Sequence, residues 1–215
     1  MTTKGHVFLV DDDQEVRLSV ADVLIHLGYG VSDFDSAASF LQQALRCSPA
    51  VLVLDMRMPK MTGLDLQKVL IEKDWPIPII YMSGDSQSQE IIDAMKLGAV
   101  DFLWKPITHT QMIQVVNKGL KLDGQRREDQ LRLKRVAALQ QSLSAKEQEI
   151  LSLMLLGHGN KAIGIEKNVM ADTVKKHRAH IMAKMEVNSL AELLSLCKDF
   201  IPTYGDDQIT PQIKK

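Results

Sequence analysis

The chain is poor in cysteine, poor in aromatic residues and free of any net charge of consequence, and each shortage removes a class of protein. Its 215 residues include only two cysteines, and aromatic side chains make up 5% of them. Cys47 and Cys197 lie far apart and fit neither zinc-ligand nor CxxC spacing. A disulfide scaffold is thereby excluded, and reduced, packed thiols in a cytoplasmic protein are expected. No apolar run approaches the roughly 18 residues of a membrane span. The first six residues, Met1 to His6, lead directly into a strand-like stretch with no signal-peptide core. With 26 basic and 27 acidic side chains the formal net charge is −1, so the chain as a whole advertises neither a nucleic-acid binder nor an acidic tail.

The balance hides a division. Asp11, Asp12, Asp13, Asp33 and Asp35 crowd the N-terminal part, while Lys161, Lys167, Lys175, Lys176, Arg178 and Lys184 crowd the C-terminal part. An acidic metal site and a DNA-binding module would divide a neutral total in this way. The length suits two small domains. Short apolar runs at His6–Val10, Gly30–Phe34, Val51–Leu54, Pro78–Met82 and Val100–Leu103 alternate with helical spacing near 16–27, 36–46, 63–72, 86–97 and from 108 onward. Five such units predict a doubly wound, five-stranded parallel sheet with helices on both faces. From about Lys118 to Gln141 the sequence turns polar and helical. It reads as a charged linker helix, or as a short coiled-coil seam through Leu131, Leu133, Val136 and Leu139. An all-helical pattern follows, with a capping box at Ser144–Glu147, Asp172 as cap of a helix through Met185, and Ser189 as cap of a last helix through about Phe200. The predicted domains are residues 1–121, a linker at 122–141, a small four-helix unit at 142–203 and a frayed tail at 204–215.

In a parallel sheet of this kind the site lies beyond the carboxyl ends of the strands. Asp11 and Asp12 end the first strand, Asp55 the third and Ser83 the fourth, and Lys105 follows the fifth. Three carboxylates at one edge repel one another unless a cation lies among them, and hard oxygen donors suit Mg2+, with Mn2+ as a substitute. With the metal offsetting charge, Asp55 becomes a nucleophile toward phosphorus and forms an acyl phosphate. Lys105 then holds the phosphoryl oxygens and the Ser83 hydroxyl donates to one of them. Singly, each residue has a plainer reading, as a loop lysine, a turn serine or a helix-starting acid. Their joint placement carries the inference.

Val10-Asp-Asp-Asp13, Leu54-Asp-Met-Arg-Met-Pro59 with Gly63, Met82-Ser-Gly84 and Gly98 through Pro106 resemble the flavodoxin-like receiver domain of bacterial two-component response regulators, across roughly residues 4–121. The resemblance implies a histidine kinase as phosphoryl donor and a metal shell completed by the backbone carbonyl of Arg57. It also implies Ser83 and Phe102 as a switch pair and a cis Lys105–Pro106 bond. Between Gly84 and Ile92 the chain departs from FixJ-like receivers, which carry a His-Gly-Asp segment with a proline there.

At the other end, two helices with a tight turn, the second rich in Lys, Arg and His, fit a helix-turn-helix or merely a solvated basic face. Leu143 to Ile150, Gly159-Asn-Lys161, Ile163, Thr173 to His177, Ile181 to Lys184 and Ser189 to Leu193 resemble the LuxR-type helix-turn-helix of the FixJ/NarL family, across about residues 142–198. The resemblance implies double-stranded DNA as partner and places Lys175, Lys176 and Ala179 toward base edges, with Asn160, Lys161, Thr173, Arg178 and Lys184 toward phosphates. His177 is expected to pack inward. Gly164, Lys167 and Met170 depart from the pattern.

The expectation is a phosphorylation-gated transcription regulator that dimerises on phosphorylation, with RNA polymerase as a further candidate partner. It would be no enzyme beyond making and breaking its own acyl phosphate. A phosphate relay whose helical end binds protein, and a phosphatase using the acidic edge, are the rival readings.

Overall fold

A computed structural model of the chain describes residues 3–198. The chain divides into two compact units that meet between Asp129 and Gln130. Five strands alternate with helices in the first: β1 His6–Val10, α1 Gln14–His26, β2 Gly30–Phe34, α2 Ala37–Gln43, β3 Ala50–Asp55, α3 Gly63–Glu72, β4 Ile79–Ser83, α4 Ser88–Lys96 and β5 Asp101–Trp104. The strands form one parallel sheet in the order β2-β1-β3-β4-β5. Every residue of β3 and β4 is buried, as strands covered on both faces require. Successive side chains point to opposite faces. Phe8, Val10, Leu52, Leu54 and Tyr81 therefore join one core, and Val7, Leu9, Val51, Val53 and Ile80 the other.

The helices begin where side chains satisfy their free N–H groups. Asp13 accepts from Glu15 and Val16 at the start of α1, and Thr62 and Asp65 form a reciprocal capping box on α3. Two predicted helices start or end elsewhere. Residue 36 is the cap of α2 rather than its first turn, and α2 ends at Gln43. The helix expected from 86 begins at Ser88, because Glu90 folds back to accept from the Gln87 N–H at 2.9 Å and fixes the first turn there.

The separate linker helix is also revised. α5 runs unbroken from His109 to Gln141. Its early part packs on the sheet, where a Cβ on Gly119 would stand 2.6 Å from Val51, so glycine permits the close approach. Asp123 still accepts from the Ala50 N–H at 2.9 Å, and Arg126 donates to the Pro76 carbonyl at 3.1 Å. These bonds carry the first unit beyond residue 121, where the receiver resemblance ends.

In the second unit Val136 and Leu139, near the end of α5, belong to the core of the helical domain, while Leu131 and Leu133 are exposed. The other helices are α6 Ala145–Leu155, α7 Asn160–Glu166, α8 Ala171–Lys184 and α9 Leu190–Leu196. Ser144 and Glu147 form the capping box, and Ser189 caps α9. Asp172 does not cap α8. Met170 holds that position without a side-chain bond, and Asp172 sits in the first turn, where an acid favours the helix dipole. The expected continuation of α9 to Phe200 and the tail at 204–215 lie outside the described residues.

Candidate functional site

Strand register assembles the acidic edge. Val10 pairs with Leu54, so the next residues, Asp11 and Asp55, emerge side by side at the carboxyl ends of β1 and β3. Asp55 pairs with Met82 and Ser83 with Trp104, which brings Ser83 and Lys105 to the same edge. The Lys105 ammonium bridges both acids, 2.7 Å from Asp11 Oδ2 and 2.6 Å from Asp55 Oδ1. Asp55 Oδ2 accepts the main-chain N–H of Arg57 at 2.7 Å. The Lys105–Pro106 peptide is cis.

Burial pushes the Asp55 carboxyl above the ordinary aspartate value, against the opposing hydrogen bond from Lys105. Burial also works against the charge on Lys105, but its hydrogen bonds to Asp11 and Asp55 outweigh this and hold it above the usual lysine value. The three acids expected to cluster are not equivalent. Asp11 and Asp55 are buried, whereas Asp12 is exposed at the rim. Asp11 is turned inward by accepting the Asp13 N–H at 3.0 Å. Among the described residues no three His, Cys, Asp or Glu side chains stand together as a formed metal polyhedron. Two buried carboxylates nevertheless face one ammonium, which leaves negative charge uncompensated among hard oxygen donors.

Ser83 is 3% exposed, and its hydroxyl oxygen accepts the Asp85 N–H at 3.2 Å and lies 2.6 Å from Ser86 Oγ. Phe102 is half-buried and packs edge-on to Trp104 with ring centroids 5.1 Å apart, while Trp104 is 53% exposed. Arg17 was missed from sequence, as were the side-chain contacts of Arg57. Arg17 pairs with Asp33 at 3.1 Å and donates to the Asp11 carbonyl at 2.8 Å, fixing the turn that carries the acids. The Arg57 side chain reaches Glu90 at 3.1 Å and Asp85 at 3.4 Å. The clue for Arg17 was its place in the second turn of α1, close behind the acidic run. Nothing local signalled the Arg57 contacts.

In the helical unit α7 and α8 meet at a tight turn. Val174 and Ile181 point into the core, and the opposite face of α8 exposes Lys175, Lys176 and Ala179. Lys161 and Thr173 are exposed, and Asn160, Arg178 and His177 are half-buried. Arg178 donates to the His158 carbonyl at 3.3 Å. Lys184 is engaged within the domain, 2.7 Å from Glu147 Oε2 and 3.3 Å from the Ser142 carbonyl.

Two of the three departures around the turn have physical accounts. A Cβ on Gly164 would lie 2.7 Å from the Val169 carbonyl, so the turn needs glycine there. Lys167, in place of an apolar residue, pairs with Glu149 at 2.9 Å.

Residues 7–117 match the model of the response regulator receiver domain, and residues 141–197 match that of the bacterial regulatory proteins of the luxR family. The chain belongs to the FixJ/NarL family of response regulators. This regulator is 37% identical to the response regulator protein TodT of Pseudomonas putida over 188 residues, covering 87% of this chain and 83% of that one. It is 35% identical to the transcriptional regulatory protein FixJ of Bradyrhizobium diazoefficiens over 196 residues, 91% of this chain and 96% of that one. Among solved structures, the response regulator StyR aligns with a TM-score of 0.81 at 37% identity, covering 92% of this chain and all of that one, 100%. Full-length FixJ from B. japonicum aligns at 0.58 and 34% identity, covering 92% and 97%.

The regulator is thus a two-component response regulator with a receiver and a LuxR-type DNA-binding domain, an architecture that implies a cognate kinase and a DNA partner. Receiver domains generally bind Mg2+. No helix among the described residues is long and apolar enough to cross a membrane.

Proposed function

We propose that Asp55 accepts a phosphoryl group from a histidine kinase and that its occupancy favours a dimer competent for sequence-specific DNA binding. The observation that carries this is the Asp55 carboxylate at the end of β3, with one oxygen on the Lys105 ammonium and the other on the Arg57 N–H. Both contacts fix the nucleophile's direction. Lys105 lies within reach of the new phosphoryl oxygens and offsets their charge, and the Ser83 hydroxyl donates to one of them. The Phe102 ring then turns into the space the hydroxyl leaves.

Asp11, Asp12, Asp55 and the Arg57 carbonyl would hold Mg2+ or Mn2+, which supplies charge neutralisation for transfer to, and hydrolysis from, Asp55. The regulator's only chemistry is on its own acyl phosphate. At the helical end, Lys175, Lys176 and Ala179 address base edges, and Asn160, Lys161, Thr173 and Arg178 address phosphates. Lys184, held by Glu147, supports the recognition helix in preference to contacting DNA. A DNA target supports a cytoplasmic location for the regulator and RNA polymerase as a candidate downstream partner.

Phosphorylation shifts a population, and the ligand must discriminate between the two states for the shift to occur. Sedimentation equilibrium with Mg2+ and beryllofluoride, a phosphoryl mimic, is expected to convert monomer to dimer. An unchanged association state and unchanged affinity for promoter DNA would refute the reading.

A further inference from the structure

The connection from β4 to α4 makes two ties to the acidic edge. The Ser83 hydroxyl oxygen is 2.6 Å from Ser86 Oγ and accepts the Asp85 N–H at 3.2 Å. Arg57, whose main-chain N–H holds Asp55, extends its guanidinium across to Glu90 and Asp85. Glu90 in turn accepts the Gln87 N–H at 2.9 Å and so defines the start of α4. One arginine therefore joins the loop that carries the phosphoacceptor to the helix that follows the switch serine.

We propose that Ser86 and Arg57 form a latch that holds Ser83 and the beginning of α4 in the resting arrangement, to be released when Asp55 is phosphorylated. The proposal rests on the reading of Asp55 as phosphoacceptor and Ser83 as the hydroxyl that moves. A buried hydroxyl leaves its partners only for a replacement. At 3% exposure Ser83 has little water to turn to; its oxygen accepts from Ser86 Oγ and from the Asp85 N–H, and the bond its own proton makes to a phosphoryl oxygen offsets leaving them. Part of the gain from that bond offsets the loss of the Ser86 contact, so the latch raises the phosphoryl occupancy needed to switch. The Arg57 component is more exposed, with side-chain accessibilities of 43% for Arg57 and 35% for Glu90, and is correspondingly weaker and sensitive to salt.

The test is a beryllofluoride titration of the full chain with Mg2+, read by intrinsic tryptophan fluorescence. Ser86→Ala is expected to reach half-saturation at about five-fold lower beryllofluoride, the effect of one hydrogen bond absent from the resting state. Ser86→Thr, which keeps the hydroxyl, is expected to restore the original midpoint. Arg57→Met is expected to lower the midpoint by about two-fold at low salt and to lose that effect near 1 M salt. A midpoint for Ser86→Ala that is unchanged or higher overturns the latch while leaving the phosphoacceptor reading intact. A wild-type chain that does not respond, or an Asp55→Asn chain that does, overturns both.

Discussion

Asp11, Asp55 and Lys105 were legible as a group, because each ends or follows a strand and a parallel sheet collects such positions at one edge. The bridging of both acids by one ammonium was not legible, since it depends on register and burial. Nor was the role of Glu147. As N3 of a capping box it was expected to bond Ser144, yet the Lys184 ammonium also lies 2.7 Å from its carboxylate. The hydrogen bond from Lys184, followed by the Ser144 N–H, holds Glu147 down at about 2 from an ordinary 4.5. Because the folded value is depressed, the stabilisation is complete above about pH 4.5 and is lost as pH falls toward 2. Hydrogen exchange of α6 and α8 amides is expected to show this acid loss in the wild type. Glu147→Gln should be destabilised by about 1–2 kcal/mol at neutral pH, with a shallower acid dependence. Equal acid sensitivity in both proteins would contradict the assignment.

Elements were easiest to read where one physical cause dominates. The apolar strands and the Thr62, Ser144 and Ser189 caps follow from burial and from free helix N–H groups. Helix ends set by distant contacts were harder. α5 continues past residue 121 because Asp123 and Arg126 bond to the first unit, and polarity alone gives no sign of that. Gly164 illustrates the same limit: helix propensity reads it as a weakness, whereas the Val169 carbonyl makes it a steric requirement. Gly164→Ala is therefore expected to lower the stability of the helical domain by about 1–3 kcal/mol in urea unfolding, despite a propensity gain of about 1 kcal/mol. A net stabilisation would show that the turn relaxes freely.

For the whole molecule, the neutral net charge conceals an acidic edge in one unit and a basic helix face in the other, joined by one helix. The two units were visible in sequence because strand alternation gives way to helical periodicity. The boundary was displaced because a charged helix does not announce where its packing partner changes. Both the proposed dimerisation and the latch depend on a covalent event at one side chain. The most direct measurement is to treat the protein with acetyl phosphate and Mg2+, trap the acyl phosphate by borohydride reduction and locate the modified residue by mass spectrometry. The account predicts modification at Asp55, abolished in Asp55→Asn. Modification at another aspartate, or none in a protein that still binds Mg2+, would contradict it.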